Sequence, residues 1–215
     1  MISKGKEITE RVNFYERIKH SRNIMTESDF DSQEQMVIAC EVKVPENEAL
    51  KRAKKLVEKG IFKKTETIED AELIYLPLWQ VRFNVKKYEG IPFLSKKIDA
   101  NENIYYNALT GKLLYVEKNT VQFSDLVDKK AEKIVDLDNN AKFTRISAEE
   151  LPEDTPMPRV PPARLAVKVK NQFGIEANVI QQVFLPIWVF TAVGDRTLKV
   201  CIDSVFGHEV VGAFE

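Results

Sequence analysis

From Tyr75 to Val85 every odd position is apolar (Tyr75, Pro77, Trp79, Val81, Phe83, Val85), whereas the even positions are apolar at Leu76 and Leu78 and polar at Gln80, Arg82 and Asn84. Successive side chains of a strand point to opposite faces. The spacing therefore predicts a strand over residues 72–86, covered on both faces in its first half and wet on one face in its second. Alternation and short apolar runs predict further strands over 36–44, 91–98, 104–107, 112–116, 179–193, 197–203 and 209–214. An apolar stripe at Leu50, Ala53, Leu56 and Val57 predicts a helix over 46–59, with Glu46 and Glu48 complementing the dipole of its first turn and Gly60 ending it. Other helices are predicted over 164–173, closed by Gly174, and over 7–20 from Ile8, Val12, Tyr15 and Ile18. A last one runs from Ser124 as N-cap to about Leu137, with Val127, Ala131 and Ile134 on its inner side.

The pattern occurs twice. Tyr75-Leu76-Pro77-Leu78-Trp79 returns as Phe184-Leu185-Pro186-Ile187-Trp188, with an offset of 109 at both the prolines and the tryptophans. The turns after them, Asn107-Ala108-Leu109-Thr110-Gly111-Lys112 and Asp203-Ser204-Val205-Phe206-Gly207-His208, are offset by 96. Both copies share the order helix, long strand, strand, glycine turn, strand, which reads as an internal duplication. The implied fold class is α+β: two related halves, each a helix packed on an antiparallel β-meander, with an N-terminal helical extension. The extension covers 1–34, the first repeat 35–120, a helix and Pro-rich connector 121–160, and the second repeat 161–215. Pro152, Pro156 and Pro158 mark the connector as extended chain. Pro77 and Pro186 cannot donate to a ladder, so each is expected at a sheet edge or a bulge.

A helix opened near a proline, then strands, then a hairpin with an Asx residue four positions before glycine resembles the PepSY domain, here in duplicate. The turns at Asn107–Lys112 and Asp203–His208 carry the resemblance: the Asx side chain accepts from turn amides, and glycine supplies the positive φ of a tight reversal. The first copy has Asn107 where that family has Asp, and the second lacks the Thr. The resemblance implies a non-catalytic binding or regulatory module, and carries no catalytic residue across.

Composition changes this picture little. Lys plus Arg (32) balances Asp plus Glu (33), so no global field calls for nucleic acid or an acidic membrane. The basic residues of the first helix and its exit, Lys51, Arg52, Lys54, Lys55, Lys59, Lys63 and Lys64, alternate with Glu48, Glu58, Glu66 and Glu69, the pattern of a solvated helix face. The charged N-terminus lacks the apolar core of a signal peptide, and the most apolar run, 180–193, is too short for a membrane span; the expected compartment is the cytoplasm. Cys40 and Cys201 are expected to be reduced. His20 and His208 stand in no metal-ligand spacing, no nucleotide or nucleophile motif occurs, and no cofactor or metal is expected.

Chemistry therefore has to be sought in surfaces. The apolar Trp face is expected to form the core of each repeat, leaving Leu76, Leu78, Leu185 and Ile187 in need of cover. The cover would come from the other repeat about a pseudo-two-fold, from a second copy of the chain in a homodimer, or from a protein or peptide partner. Together with Arg82 and Tyr105 these residues form the candidate binding set. The leading expectation is a non-enzymatic interaction or regulatory module that uses this patch or an exposed strand edge. The alternative is a small-molecule-binding protein or enzyme with a pocket between the repeats, for which Arg82, Tyr105, Tyr106 and Asp203 are the convergent polar candidates.

Overall fold

The computed structural model describes residues 36–59, 66–83, 103–125, 133–134, 137–173 and 177–214. Contacts divide the chain into Met1–Gln35 and Met36–Glu215, and every described residue belongs to the second unit. Its elements are β1 (Met36–Cys40), α1 (Glu46–Lys59), β2 (Thr67–Phe83), β3 (Asn103–Asn107), β4 (Leu113–Glu117), β5 (Thr120–Ser124), β6 (Lys133–Ile134), α2 (Leu137–Asn140), β7 (Phe143–Ser147), a 3-10 turn (Ala148–Glu150), α3 (Pro162–Phe173), β8 (Ala177–Val193), β9 (Thr197–Asp203) and β10 (Glu209–Val211).

All these strands belong to one sheet. Pairings run β2–β3–β4–β5–β10–β9–β8 and return to β2 through a long β2–β8 ladder, so seven strands close on themselves. From β8 the sheet also continues outward to β1 and then β7, while β6 adds to β4. Most pairings are antiparallel; β10–β5 and β1–β8 are parallel, which makes the sheet mixed.

The β2–β8 ladder is organised by the repeat. Leu76 pairs with Leu185, its own equivalent in the second copy, so a pseudo-two-fold axis passes between them. Tyr75 pairs with Pro186 and Pro77 with Phe184, each pair the image of the other. The relation extends outward: Leu78 pairs with Asn107 on β3 as Ile187 pairs with Asp203 on β9. Beside this axis lies the largest core cluster, which includes Leu76, Leu78, Tyr105, Leu114, Val121, Phe123, Val183, Leu185, Ile187, Val189 and Val210. Burying so many large side chains on one face supplies the main driving force for closing the sheet.

The α+β architecture of two helix-on-meander halves is overturned by this topology. Each long strand is apolar on both faces in the stretch that carries the proline, and it meets that need by pairing with the other copy. One helix crosses over as well: α1 packs mainly on β8 and β9, strands of the second repeat, with Ala49 and Ala53 against Phe190 and Ile202, whereas α3 packs on β8 of its own repeat. The helix expected to start at Ser124 is not formed as read, because Ser124 ends β5 and Lys133–Ile134 pair with β4. The rest of that helix over 126–132, the helix over 7–20 and the strand over 91–98 lie outside the described residues.

Neither proline sits at an irregularity; the register shifts fall between Ile68 and Asp70 and between Gln80 and Val81. Instead, Pro77 O accepts from Ala108 N at 2.9 Å, and Pro186 O accepts from Ser204 N at 3.0 Å. The N and O of one strand residue point the same way, so each missing donor faces the spot where the neighbouring strand has turned away. No ladder bond is lost.

Candidate functional site

Leu76, Leu78, Leu185 and Ile187 are at most 1% exposed, inside the main core. Their cover is the other repeat together with β3, β4, β5, β9 and β10, and they offer no surface to a partner. The Trp face is covered too, by the exchanged segments: Trp188 Nε1 donates to Val44 O at 2.9 Å and Trp79 Nε1 to Val160 O at 2.7 Å. Val44-Pro45 and Val160-Pro161 introduce α1 and α3, so the two helix starts are held in matching ways. Lys43 and Val44 N–H both donate to Ser204 O, just as Arg159 and Val160 N–H both donate to Ala108 O.

The Asx turns are built from the same parts. Asn107 Oδ1 accepts from Leu109 and Thr110 N–H, and Asp203 Oδ1 from Val205 and Phe206 N–H. Asp203 Oδ2 adds the His208 N–H at 2.7 Å, whereas Asn107 Nδ2 donates to Ala213 O at 2.6 Å. Burial pushes the Asp203 carboxyl above its ordinary range, against the pull of the amides that bond it. Asp203 therefore has a structural task. His208 stacks on Phe206 with ring centroids 5.9 Å apart. Among the described residues no group of three His, Cys, Asp or Glu side chains comes together for a metal.

Two of the candidate polar residues do meet. Tyr105 OH donates to Asp138 Oδ1 at 2.7 Å and accepts from Gln80 Nε2 at 3.0 Å. Gln80 Nε2 also reaches Asp138 Oδ1 at 3.2 Å, Asn103 Nδ2 donates to Asp138 Oδ2 at 2.8 Å, and Arg82 Nε donates to Asn103 Oδ1 at 3.2 Å. Sequence reasoning found Arg82 and Tyr105 but missed Asp138, which lies just past the predicted end of the Ser124 helix and sits in α2. Burial, then the Asp138 bond, holds the Tyr105 hydroxyl far above its usual range. Cys40 lies nearby, and burial, then the carboxylates of Asp138 and Asp203, pushes its thiol up to about 12. No buried polar side-chain atom of this cluster lacks a partner, and a bonded network of this kind orders a structure.

The backbone of β2 presents something different. Because Pro186 has no N–H and turns its carbonyl away to Ser204, Tyr75–Pro186 is a non-hydrogen-bonded pair. Ladder alternation then turns the N–H and C=O of Ala71, Leu73 and Tyr75 to the outer edge of β2. Strand β3 uses that edge only from Leu78 to Arg82. Among the described residues no backbone group bonds Leu73 or Tyr75 there, and Ala71 N–H is met by the side chain of its neighbour Asp70 at 2.9 Å. At the matching place on β8 the edge is filled: Phe184, the equivalent of Tyr75, pairs with Ala39 of β1. The second-repeat counterpart of β1, counted back from Val160-Pro161 as β1 is from Val44-Pro45, is 152–156, where Pro152 and Pro156 lack donors. This connector passes close enough for Glu150 to help raise the Tyr75 hydroxyl, after burial, but it makes no ladder with β2.

Among the described residues no helix is long and apolar enough to cross a membrane. No family model matches the chain, and neither the curated proteins nor the solved structures contain a match to it.

Proposed function

We propose that the chain is a non-enzymatic interaction module that takes up an extended segment of a protein or peptide along the outer edge of β2, at Ala71, Leu73 and Tyr75. The observation that carries this reading is the inequality of two equivalent edges: β8 holds a strand, β1, parallel to itself at Phe184, and among the described residues β2 holds none at Tyr75. A strand edge with unmet donors and acceptors is a template for strand addition. Glu69, Asp70 and Glu72 stand exposed along it, which favours a segment bearing Lys or Arg. A homodimer through this edge would set the same carboxylates against each other, so the occupant is a different chain. The resemblance of the turns to the PepSY domain points toward the same class of role.

The test is a titration of ¹⁵N-labelled protein with a peptide copying Met36–Cys40, with a lysine added at each end, followed by amide hydrogen exchange. The Leu73 and Tyr75 amides should become protected, and Leu73→Pro, which removes an outward N–H, should abolish binding. Binding that leaves those amides unprotected, or that survives Leu73→Pro, would sink the proposal.

A further inference from the structure

The chain before α3 retraces the chain before α1. Trp79 donates to Val160 O as Trp188 does to Val44 O, and the Arg159 and Val160 N–H groups meet Ala108 O as those of Lys43 and Val44 meet Ser204 O. Farther along the helices the match holds again: Lys168 Nζ donates to Gly111 O, and Arg52 Nη1 to Gly207 O. The offset is 116 residues both from Val44 to Val160 and from Arg52 to Lys168. It sets Ala39 against Thr155 and Cys40 against Pro156. Ala39 and Thr155 are both buried, at 2% and 7% exposed, so the connector lies against the body of the protein at that point.

The way β1 joins β8 shows what the second copy lacks. Glu41 N–H donates to Lys142 O in continuation of the β1–β7 ladder, so alternation turns the N–H and C=O of Ala39 to β7 as well. The parallel bridge between Ala39 and Phe184 then falls to the neighbours of Ala39: Cys40 N–H to Phe184 O, and Phe184 N–H to Ile38 O. Carried over by the offset, a bridge at Tyr75 would take its carbonyl from Asp154 and its N–H from residue 156. That residue is Pro156, which has no N–H. Pro152 stands at the place of Met36, outside the bridge. The connector instead forms a turn, closed by Thr155 N–H donating to Pro152 O at 2.9 Å.

We infer that residues 152–156 are a built-in competitor for the outer edge of β2, and that Pro156 is the residue that holds it off. A donor at position 156 closes the edge with the protein's own chain, in the way β1 closes β8; a proline there leaves the edge to a ligand. The inference rests on the strand-addition reading of that edge and adds what regulates its occupancy.

Pro156→Ala restores the donor. Amide hydrogen exchange of the full chain, without ligand, should then slow at Tyr75 by about fivefold or more, the worth of one net backbone bond. The lysine-flanked Met36–Cys40 peptide should bind this variant more weakly by the same factor, because both readouts report the closed fraction. Pro158→Ala, at the place of Val42 and beyond the β1 ladder, should leave both at wild-type values. The Trp79 indole N–H resonance, bonded to Val160 O, should stand still in both variants and shows that the connector keeps its anchor. Tyr75 exchanging equally fast in wild type and Pro156→Ala, an equal slowing in Pro158→Ala, or a slowing that comes with a displaced Trp79 resonance would overturn the inference and leave strand addition standing. A peptide that fails to bind wild type, while Pro156→Ala still slows Tyr75 alone, would overturn strand addition and leave the competitor in place.

Discussion

Adjacent tyrosines on β3 carry hydroxyls with opposite fates. Tyr105 OH joins Asp138 and Gln80, while Tyr106 OH, equally buried, joins nothing in the protein. Tyr105→Phe should therefore cost about 1–2 kcal/mol in urea unfolding, and Tyr106→Phe should change stability by no more than about 0.5 kcal/mol. Asp203 sets up a pH effect of defined sign. Its folded carboxyl titrates above the ordinary 3.8 because burial opposes the charge. Its contribution to stability is thus full below that value and is lost as pH rises through the higher folded value. Asp203→Asn also gives up the His208 N–H bond, so it should be destabilising, and its deficit should be largest at the acid end and shrink as pH rises across that window. Unfolding midpoints measured from about pH 3 to about pH 7 check this. The thiols belong to the same scale: burial raises Cys40 to about 12 and Cys201 to about 11, so both should resist alkylation at about pH 8 until the protein unfolds.

At the scale of elements, the two glycine turns form a matched pair with one difference. Gly111 and Gly207 both have positive φ, +71° and +73°. A Cβ on Gly111 would meet nothing closer than 3.6 Å, whereas one on Gly207 would overlap the guanidinium of Arg52, which donates to the carbonyls of Phe206 and Gly207. Gly111→Ala should cost about 1–2 kcal/mol for its left-handed backbone alone. Gly207→Ala should cost more, and the excess should disappear in an Arg52→Ala background, as a double-mutant cycle would read. Helix α1 was legible in the sequence to the residue, because stripe, first-turn carboxylates and terminal glycine agree locally. Strand β2 begins at Thr67, before its apolar alternation, since a backbone ladder with β8 holds Thr67–Val193 and Ile68–Ala192 whatever the side chains are. Strand β7, in a stretch assigned to the helix and Pro-rich connector, is held by pairing with β1, a partner about a hundred residues away that local pattern cannot announce.

For the whole molecule, the repeat could be read from its offsets, and the same offsets recur in the register of β2–β3 and β8–β9. What parity could not tell was which apolar face would line the main core, since both faces of 75–79 are apolar and only tertiary pairing chooses. The packing of α1 on the second repeat was hidden for the same reason. Because the β2–β8 ladder and the main core draw on both repeats, neither carries a complete core: fragments 36–125 and 137–215 should each be unfolded alone and should recover native near-UV circular dichroism when refolded together, and a fragment that folds cooperatively by itself would contradict that shared core. Strand addition depends on one asymmetry in that shared architecture: among the described residues the edge at Phe184 is filled and the edge at Tyr75 is not. Amide hydrogen exchange of the full chain compares these two equivalents directly. Tyr75 should exchange much faster than Phe184, whose N–H faces β1, and faster than its own neighbour Leu76, whose N–H faces β8. Protection of Tyr75 equal to that of Phe184 would mean that the edge is already occupied, and would contradict strand addition at β2.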